Sequence, residues 1–290
     1  MSPAGSAADR WREDLAAWAI PDEILARAPE SPWGFPVELF ASRADAAAGR
    51  LTPSNRRALE ALPEGGTVLD VGCGAGAASL PLAGRASALV GVDPSPRMLE
   101  EFRARAQAAG VRVETVEGPW PEVAPRTPVA DVVVCHHVLY NAPDLPAFAL
   151  ALTDHARSRV VVELTDRHPM SPLNPLWLRF HGLARPTRPT AADAVDVLRE
   201  LGLDPRRQDW QAPGTGGFSR LEDLVAWVRR RLCLAPDRDP EVLEAIRDEV
   251  VRREDGAFGF PPRPVVTLWW DGAAPPSGGR SRSARAGWGG

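Results

Sequence analysis

The run Val68-Leu69-Asp70-Val71-Gly72-Cys73-Gly74-Ala75-Gly76 decides the fold. An apolar strand enters three glycines at alternate positions, and a helix is expected just beyond them, over 75–84. Glycine there permits positive φ and lets a ligand approach the backbone closely. A parallel sheet binds its ligands beyond the carboxyl ends of its strands. The next apolar run closes on Val90-Gly91-Val92-Asp93, which puts a carboxylate at the tip of the neighbouring strand. Such an acid suits a ribose, whose two hydroxyls both donate to it.

Outward from this loop, short apolar runs alternate with helical stretches. The runs are 67–71, 88–92, 111–116, 131–135 and 159–164; between them, 96–109 (Ser95 as cap, Gly110 as stop) and 144–155 read as helices. That alternation predicts a parallel sheet with helices on both faces. Upstream, Trp11, Leu15 and Trp18 fall at helical spacing before Pro21, and Thr52-Pro53 offers a cap and first-turn proline for a helix ending near Leu62. Downstream, 166–189 is Pro-rich, 190–201 is a helix closed by Gly202, and 205–211 reads as a strand. Ser219-Arg220-Leu221-Glu222 has the pattern of a capping box for a helix to about Leu234. Asp239-Pro240 opens another to about Arg253, and 265–270 is a final strand.

The chain has 290 residues, 44% hydrophobic and 25% charged, which is ordinary soluble globular composition. No lysine occurs, so Schiff-base and lysine-base mechanisms are excluded. A net charge of -4 argues against a protein built to hold nucleic acid or an anionic membrane. Cys73, Cys135 and Cys233 are far apart and fit neither a disulfide framework nor a zinc site; no metal is expected. Arg10, Arg12, Glu13 and Asp14 leave no apolar core for a signal peptide, so a cytoplasmic protein is expected.

Two ligands suit the loop. Gly72, Gly74 and Ala77 meet the loose dinucleotide fingerprint, with Asp93 21 residues past Gly72. Asp70, however, sits at the strand's end where a pyrophosphate would arrive, and like charges at about 4 Å cost on the order of 4 kcal/mol. A ligand presenting an ammonium is favoured instead. S-adenosylmethionine carries an amino group and a ribose, and no phosphate.

With Val68–Gly76, Val90–Leu99 and Asp131–Leu139 in that order, the sequence resembles the class I S-adenosylmethionine-dependent methyltransferases over roughly 67–165. The resemblance implies that Asp70, Gly72, Cys73, Gly74 and Gly76 form the loop at the methionine end and that Asp93 holds the ribose. It further implies that Pro94 and Met98 flank the adenine, and that Cys135 and His136 border the cofactor. After the third strand the family's usual Gly-Asp is here Gly118-Pro119-Trp120, so the acid for the adenine amino group is missing. Either Trp120 stacks on the adenine, or Glu117 or Glu122 replaces the contact.

The expected fold is α/β: a Rossmann-like, doubly wound, mostly parallel sheet with an N-terminal helical cap (1–66) and a helical insertion (219–254) before the last strand. The methyltransferase domain would span 67–271, with its cofactor half at 67–165 and a lid at 166–189, and 272–290 would be a disordered tail. The expected function is methyl transfer to an O, N or C nucleophile of a small organic acceptor. The alternatives are a protein or RNA methyltransferase, or a non-catalytic S-adenosylmethionine-binding protein. Methyl transfer is mainly an alignment problem, with a base required only when the nucleophile arrives protonated.

Candidate bases are His137, after the fourth strand, and His168, after the fifth; His155 reads as structural, and His181, in the Pro-rich segment, as either ligand-side or structural. Trp33, Phe35, Phe40, Trp177, Phe180, Phe258 and Phe260 suggest either an apolar acceptor pocket or the core joining the additions to the sheet. One of Arg43, Arg50, Arg56 and Arg57 is a candidate partner for the cofactor carboxylate. Arg229-Arg230-Arg231 and Arg252-Arg253 read as solvated helix faces rather than an RNA patch. Asn174-Pro175-Leu176-Trp177 resembles the motif of amino-methylating nucleic-acid enzymes but falls after the wrong strand.

Overall fold

The computed structural model describes residues 5–33, 51–214, 216–253 and 255–273. The expectations placed on Phe35, Phe40, Arg43, Arg50 and the tail from 274 lie outside these residues. Seven strands form the main sheet: β1 (Gly66–Val71), β2 (Ala86–Asp93), β3 (Arg112–Glu117), β4 (Ala130–His136), β5 (Ala156–Thr165), β6 (Arg206–Ala212) and β10 (Arg263–Asp271). Their order is β3-β2-β1-β4-β5-β10-β6. The first five are parallel, and β10 is antiparallel to both its neighbours. The mostly parallel, doubly wound sheet is thus present. The chain order reverses between β1 and β4, which opens a crevice at their carboxyl ends.

Alternation along the buried strands divides the core between the two faces. Leu69, Val71, Val133 and Val162 face α1 (Ala7–Ala16), α5 (Leu145–Asp154) and α7 (Ala191–Glu200). Val68, Val132, Val134 and Val161 face α3 (Pro53–Ala61) and α4 (Pro96–Ala108). Thr52 caps α3 reciprocally with Asn55, with Pro53 in the first turn, as the sequence led us to expect. On the opposite face Trp11 is fully buried and its indole N–H donates to the Ala142 carbonyl at 2.9 Å, docking α1.

A separate core joins Ile20, Leu173, Trp177 of α6 (Asn174–His181), and the apolar faces of α8 (Leu221–Arg231) and α9 (Asp239–Ile246). Phe180, Phe258 and Phe260 pack against it, so these aromatics join the additions to one another; Trp33 is exposed. A small sheet, β7 (Gly216–Phe218), β9 (Phe258–Gly259) and β8 (Val251–Arg252), accompanies the two helices.

Three expected helices change. Over 75–84 there is no α-helix, only turns and a 3-10 turn at Leu80–Leu82: Gly74 and Gly76 take φ of +48° and +95°, which α-helical backbone excludes. The helix expected from Ser219 starts at Leu221 without a side-chain cap, because Glu222 pairs with Arg220. The helix expected to reach Arg253 ends at Ile246. Val251–Arg252 instead pairs with Phe258–Gly259 across a turn in which Gly256 has φ +83°.

Candidate cofactor site and histidine cluster

The glycine loop is tied to the tip of β2. Gly72 and Cys73 both donate their N–H to the Val92 carbonyl, at 2.8 and 3.0 Å. The N–H of Gly74 donates to Oδ2 of Asp93 and that of Ser95 to Oδ1, each at 2.9 Å. Gly118 closes the rim by donating to the Asp93 carbonyl at 3.1 Å. Burial pushes the half-buried Asp93 carboxyl upward, while the N–H groups of Ser95 and Gly74 oppose this. Each oxygen still has a lone pair for a hydroxyl donor. Pro94 is exposed and Met98 half-buried beside this tip.

The three glycines serve different needs. At Gly72, φ +72°, a Cβ would overlap Cγ2 of Val138, so the loop lies directly on the turn that follows β4. At Gly74 a Cβ would meet nothing within 4 Å, which leaves the loop open there. Gly76 was expected to line the methionine end. A Cβ at Gly76 would come within 2.8 Å of Leu80 and Phe102, so this glycine is there for core packing.

Asp70 is wholly buried beneath the loop rather than open at its rim. Ser79 donates to Oδ2 at 2.6 Å, whereas Oδ1 is buried with no hydrogen-bond partner among the described residues. Burial, aided by the Asp93 charge and opposed by Ser79, pushes the carboxyl up to about 7. A buried acceptor without a donor is costly unless one arrives. An ammonium at Oδ1, with a ribose on Asp93, satisfies both acids, so the residues present fit S-adenosylmethionine.

Other expected contacts move. Cys73 and Cys135 are buried, with burial driving both thiols up, and Cys135 packs among Leu139, Val162 and Val133 on the α5 face. Only their backbone can border a ligand. Trp120 does not offer an adenine platform. Its N–H donates to the Phe148 carbonyl at 3.3 Å, and its ring meets His155 edge-on, because the loop after β3 descends along α5.

Below the turn at residues 136–138 lies a carboxylate that sequence reasoning missed. Glu163 of β5 is 6% exposed and pairs in register with His136 on β4 and Thr267 on β10. Its Oε1 is 3.1 Å from Nε2 of His137, and its Oε2 is 3.9 Å from Nδ1 of His136. Burial alone would raise this carboxyl; His136, the hydrogen bond from His137, and Ser54 outweigh burial and hold it at about 2. Burial pushes His136 down against the pull of Glu163, and its Nε2 is buried without a hydrogen-bond partner. His137 stands 41% exposed by its side chain at φ +60°, with its own N–H donating to the Glu163 carbonyl at 2.6 Å. The one visible signal was a lone acid within the apolar run Val160-Val161-Val162-Glu163-Leu164.

The other histidines are committed to packing. His168, a candidate base, stacks on Trp18 at 3.9 Å and meets Tyr140 edge-on at 5.3 Å. Its Nδ1 accepts the Met170 N–H at 3.3 Å, and burial with Arg185 nearby pulls it down to about 4. With that lone pair occupied it is not a base for the reaction. His181 binds the Leu232 carbonyl, and both ring nitrogens of His155 face carbonyls of Ala151 and Ala124.

The arginine run is not a solvated face. Arg229 and Arg231 are buried. Arg229 pairs with Glu30 at 3.3 Å and Asp239 at 2.8 Å, and the carbonyls of Ser31 and Pro32 accept from Arg230 and Arg231 at 2.7 and 2.6 Å. Arg57 lies over Trp269 and donates to Gln208, so it is taken up at the sheet edge. Asn174 donates to the Pro186 carbonyl at 2.8 Å and is taken up by that local bond. Among the described residues no cluster of metal-ligating side chains occurs, and no helix is long and apolar enough to cross a membrane.

Residues 68–158 match the family described as "Methyltransferase domain", so this stretch of the chain is similar to methyltransferases. Among curated proteins, the ubiquinone biosynthesis O-methyltransferase of Azorhizobium caulinodans is 38% identical over 81 residues, 28% of this chain and 32% of that protein. The enzyme of the same name from Rhizobium rhizogenes is 25% identical over 178 residues, covering 54% and 70%. The match therefore spans about a third of the length of the first of these relatives. The solved YcgJ protein of Bacillus subtilis shares the fold, with a TM-score of 0.51 at 16% identity over 79% of this chain and 98% of that one.

Proposed function

We propose that this chain transfers the methyl group of S-adenosylmethionine to a small organic acceptor. The observation that carries the reading is the union of the glycine loop with Asp93 through the Gly74 N–H, above an Asp70 oxygen that lacks a donor. When bound, the sulfonium supplies an activated methyl group. Asp93 binds the ribose and Asp70 the ammonium, and the turn at residues 136–138 forms the wall against Gly72. A small acceptor agrees with the similarity to ubiquinone biosynthesis O-methyltransferases. A protein or RNA acceptor is disfavoured because Arg229 and Arg231, the heart of the basic run, are buried in an internal clamp.

On this reading residues 67–165 hold the cofactor, while the cap (1–66), lid (166–189) and insertion (219–254) choose the acceptor. The buried, free thiols agree with a reducing, cytoplasmic setting. Calorimetric titration with S-adenosylhomocysteine, with NAD as control, tests the proposal. Micromolar binding, about -8 kcal/mol, that is lost in Asp93→Ala is expected. Binding of NAD alone, or no heat with either compound, would overturn it.

A further inference from the structure

Glu163 is a buried carboxylate that the cofactor reading leaves without a task. It stands near the carboxyl end of β5, among the atoms that border the site. Oε1 reaches Nε2 of His137 at 3.1 Å, and the main-chain N–H of the same histidine donates to the Glu163 carbonyl at 2.6 Å. His137 is held twice by one residue. The hold comes with φ of +60°, a conformation that non-glycine residues adopt only at a cost. Strain of this kind persists only where surrounding structure imposes it. The next residue, Val138, is seated on Gly72, so the strained turn lies directly against the glycine loop.

We propose that Glu163 is a positioning residue that fixes His137 as the general base of the transfer, so that the acceptor enters carrying its proton. This rests on the methyltransferase reading of the same site. With Nε2 set 3.1 Å from a carboxylate, the proton belongs on Nε2 and the lone pair is left on Nδ1, as in other carboxylate–histidine pairs that set a tautomer. The 41% exposure of the side chain leaves the imidazole accessible from outside. The acceptor's lone pair takes the methyl group, its proton passes to Nδ1, and the electrons of the broken carbon–sulfur bond stay on sulfur, giving S-adenosylhomocysteine. The imidazolium so formed lies beside an ionised, buried carboxylate, so the proton transfer completes an ion pair where solvent is scarce.

His136 is not the base. Its Nδ1 faces Glu163 at 3.9 Å and its Nε2 is buried, so an acceptor reaches neither ring nitrogen. His168 has its lone pair occupied. Tyr140 is spent on the Thr165 carbonyl at 2.8 Å, and burial drives its phenol far up.

The test uses the full chain labelled with ¹⁵N-histidine, assigned with His137→Asn. We expect a downfield, slowly exchanging proton on Nε2 of His137, a proton-free Nδ1, and a shift of the Nδ1 signal when S-adenosylhomocysteine is added. In Glu163→Gln the slow proton is expected to vanish while the other histidine signals persist and S-adenosylhomocysteine affinity stays within about twofold. A slow proton that survives Glu163→Gln, a proton found on Nδ1, or S-adenosylhomocysteine binding that leaves His137 unmoved would each overturn the proposal. Absence of S-adenosylhomocysteine binding to the native chain would instead overturn the methyl-transfer reading beneath it.

Discussion

Val138 occupies the space that any side chain at Gly72 would need. Gly72→Ala therefore meets both this overlap and φ of +72°, and is expected to cost on the order of 3 kcal/mol and to abolish S-adenosylhomocysteine binding. Gly74→Ala faces only its φ of +48° in open space and should cost about 1 kcal/mol. Thermal melts of both variants check the ranking. Equal losses would show that overlap with Val138 is not the constraint.

Asp70 makes the unliganded protein sensitive to alkali. Burial raises its carboxyl from 3.8 to about 7, so between those values the folded chain keeps a proton that the unfolded chain releases. Stability from this group is full below pH 3.8 and is lost as pH rises through about 7. Asp70→Asn is expected to melt above the native chain at pH 8, with the gap closing toward pH 4, and to bind S-adenosylhomocysteine more weakly. Parallel melting curves across that range would refute the account.

His168 acts with the opposite sign. Its folded value of about 4 lies below the ordinary 6.5, so the unfolded chain gains the proton first as pH falls. Its contribution is present above pH 6.5 and is lost on the way down to about 4. His168→Phe keeps a ring against Trp18 and should flatten this part of the acid limb. Denaturant titrations at pH 7, 5.5 and 4.5 would reveal it; an unchanged limb would mean that another group is responsible.

The clamp formed by Arg229 gives a stability prediction far from the cofactor. Arg229→Met removes hydrogen bonds to Glu30 and the ion pair with Asp239 and should cost about 2 kcal/mol, since both acids remain partly solvated. Binding of S-adenosylhomocysteine is expected to stay within about twofold. A melting temperature equal to the native one would show the ion pairs to be energetically idle.

What could be read in the sequence was what is local. Val68–Gly76 and Val90–Asp93 carry their meaning within a few residues, and the sheet, the loop and the acid at its tip follow from them. Gly76 was recognisable as a required glycine, but its reason, the approach of Phe102, needed the fold. The helix expected over 75–84 failed because composition favoured it while two left-handed glycines forbade it. Glu163 was hidden in an apolar strand until β4 and β10 were laid beside it. The arginine run looked solvated because its partners, Glu30 to Pro32, lie 199 residues away in the chain.

The short helix α3 has a consequence for biosynthesis. Asn55 donates to the Ala78 carbonyl beyond the glycine loop, while Ser54 shares a 2.7 Å hydrogen bond with Thr267 and adds to the support of Glu163. Ser54 precedes every strand, and Thr267 lies 213 residues later, in the last. The fastening on which the histidine cluster rests therefore joins the early part of the chain to almost the latest. While residue 267 is still to be made, a nascent polypeptide can own its glycine loop and Asp93, but it lacks the finished bracket around Glu163. On the proposed reading, ligand capture and competence for chemistry would thus mature at different moments of synthesis, with competence second.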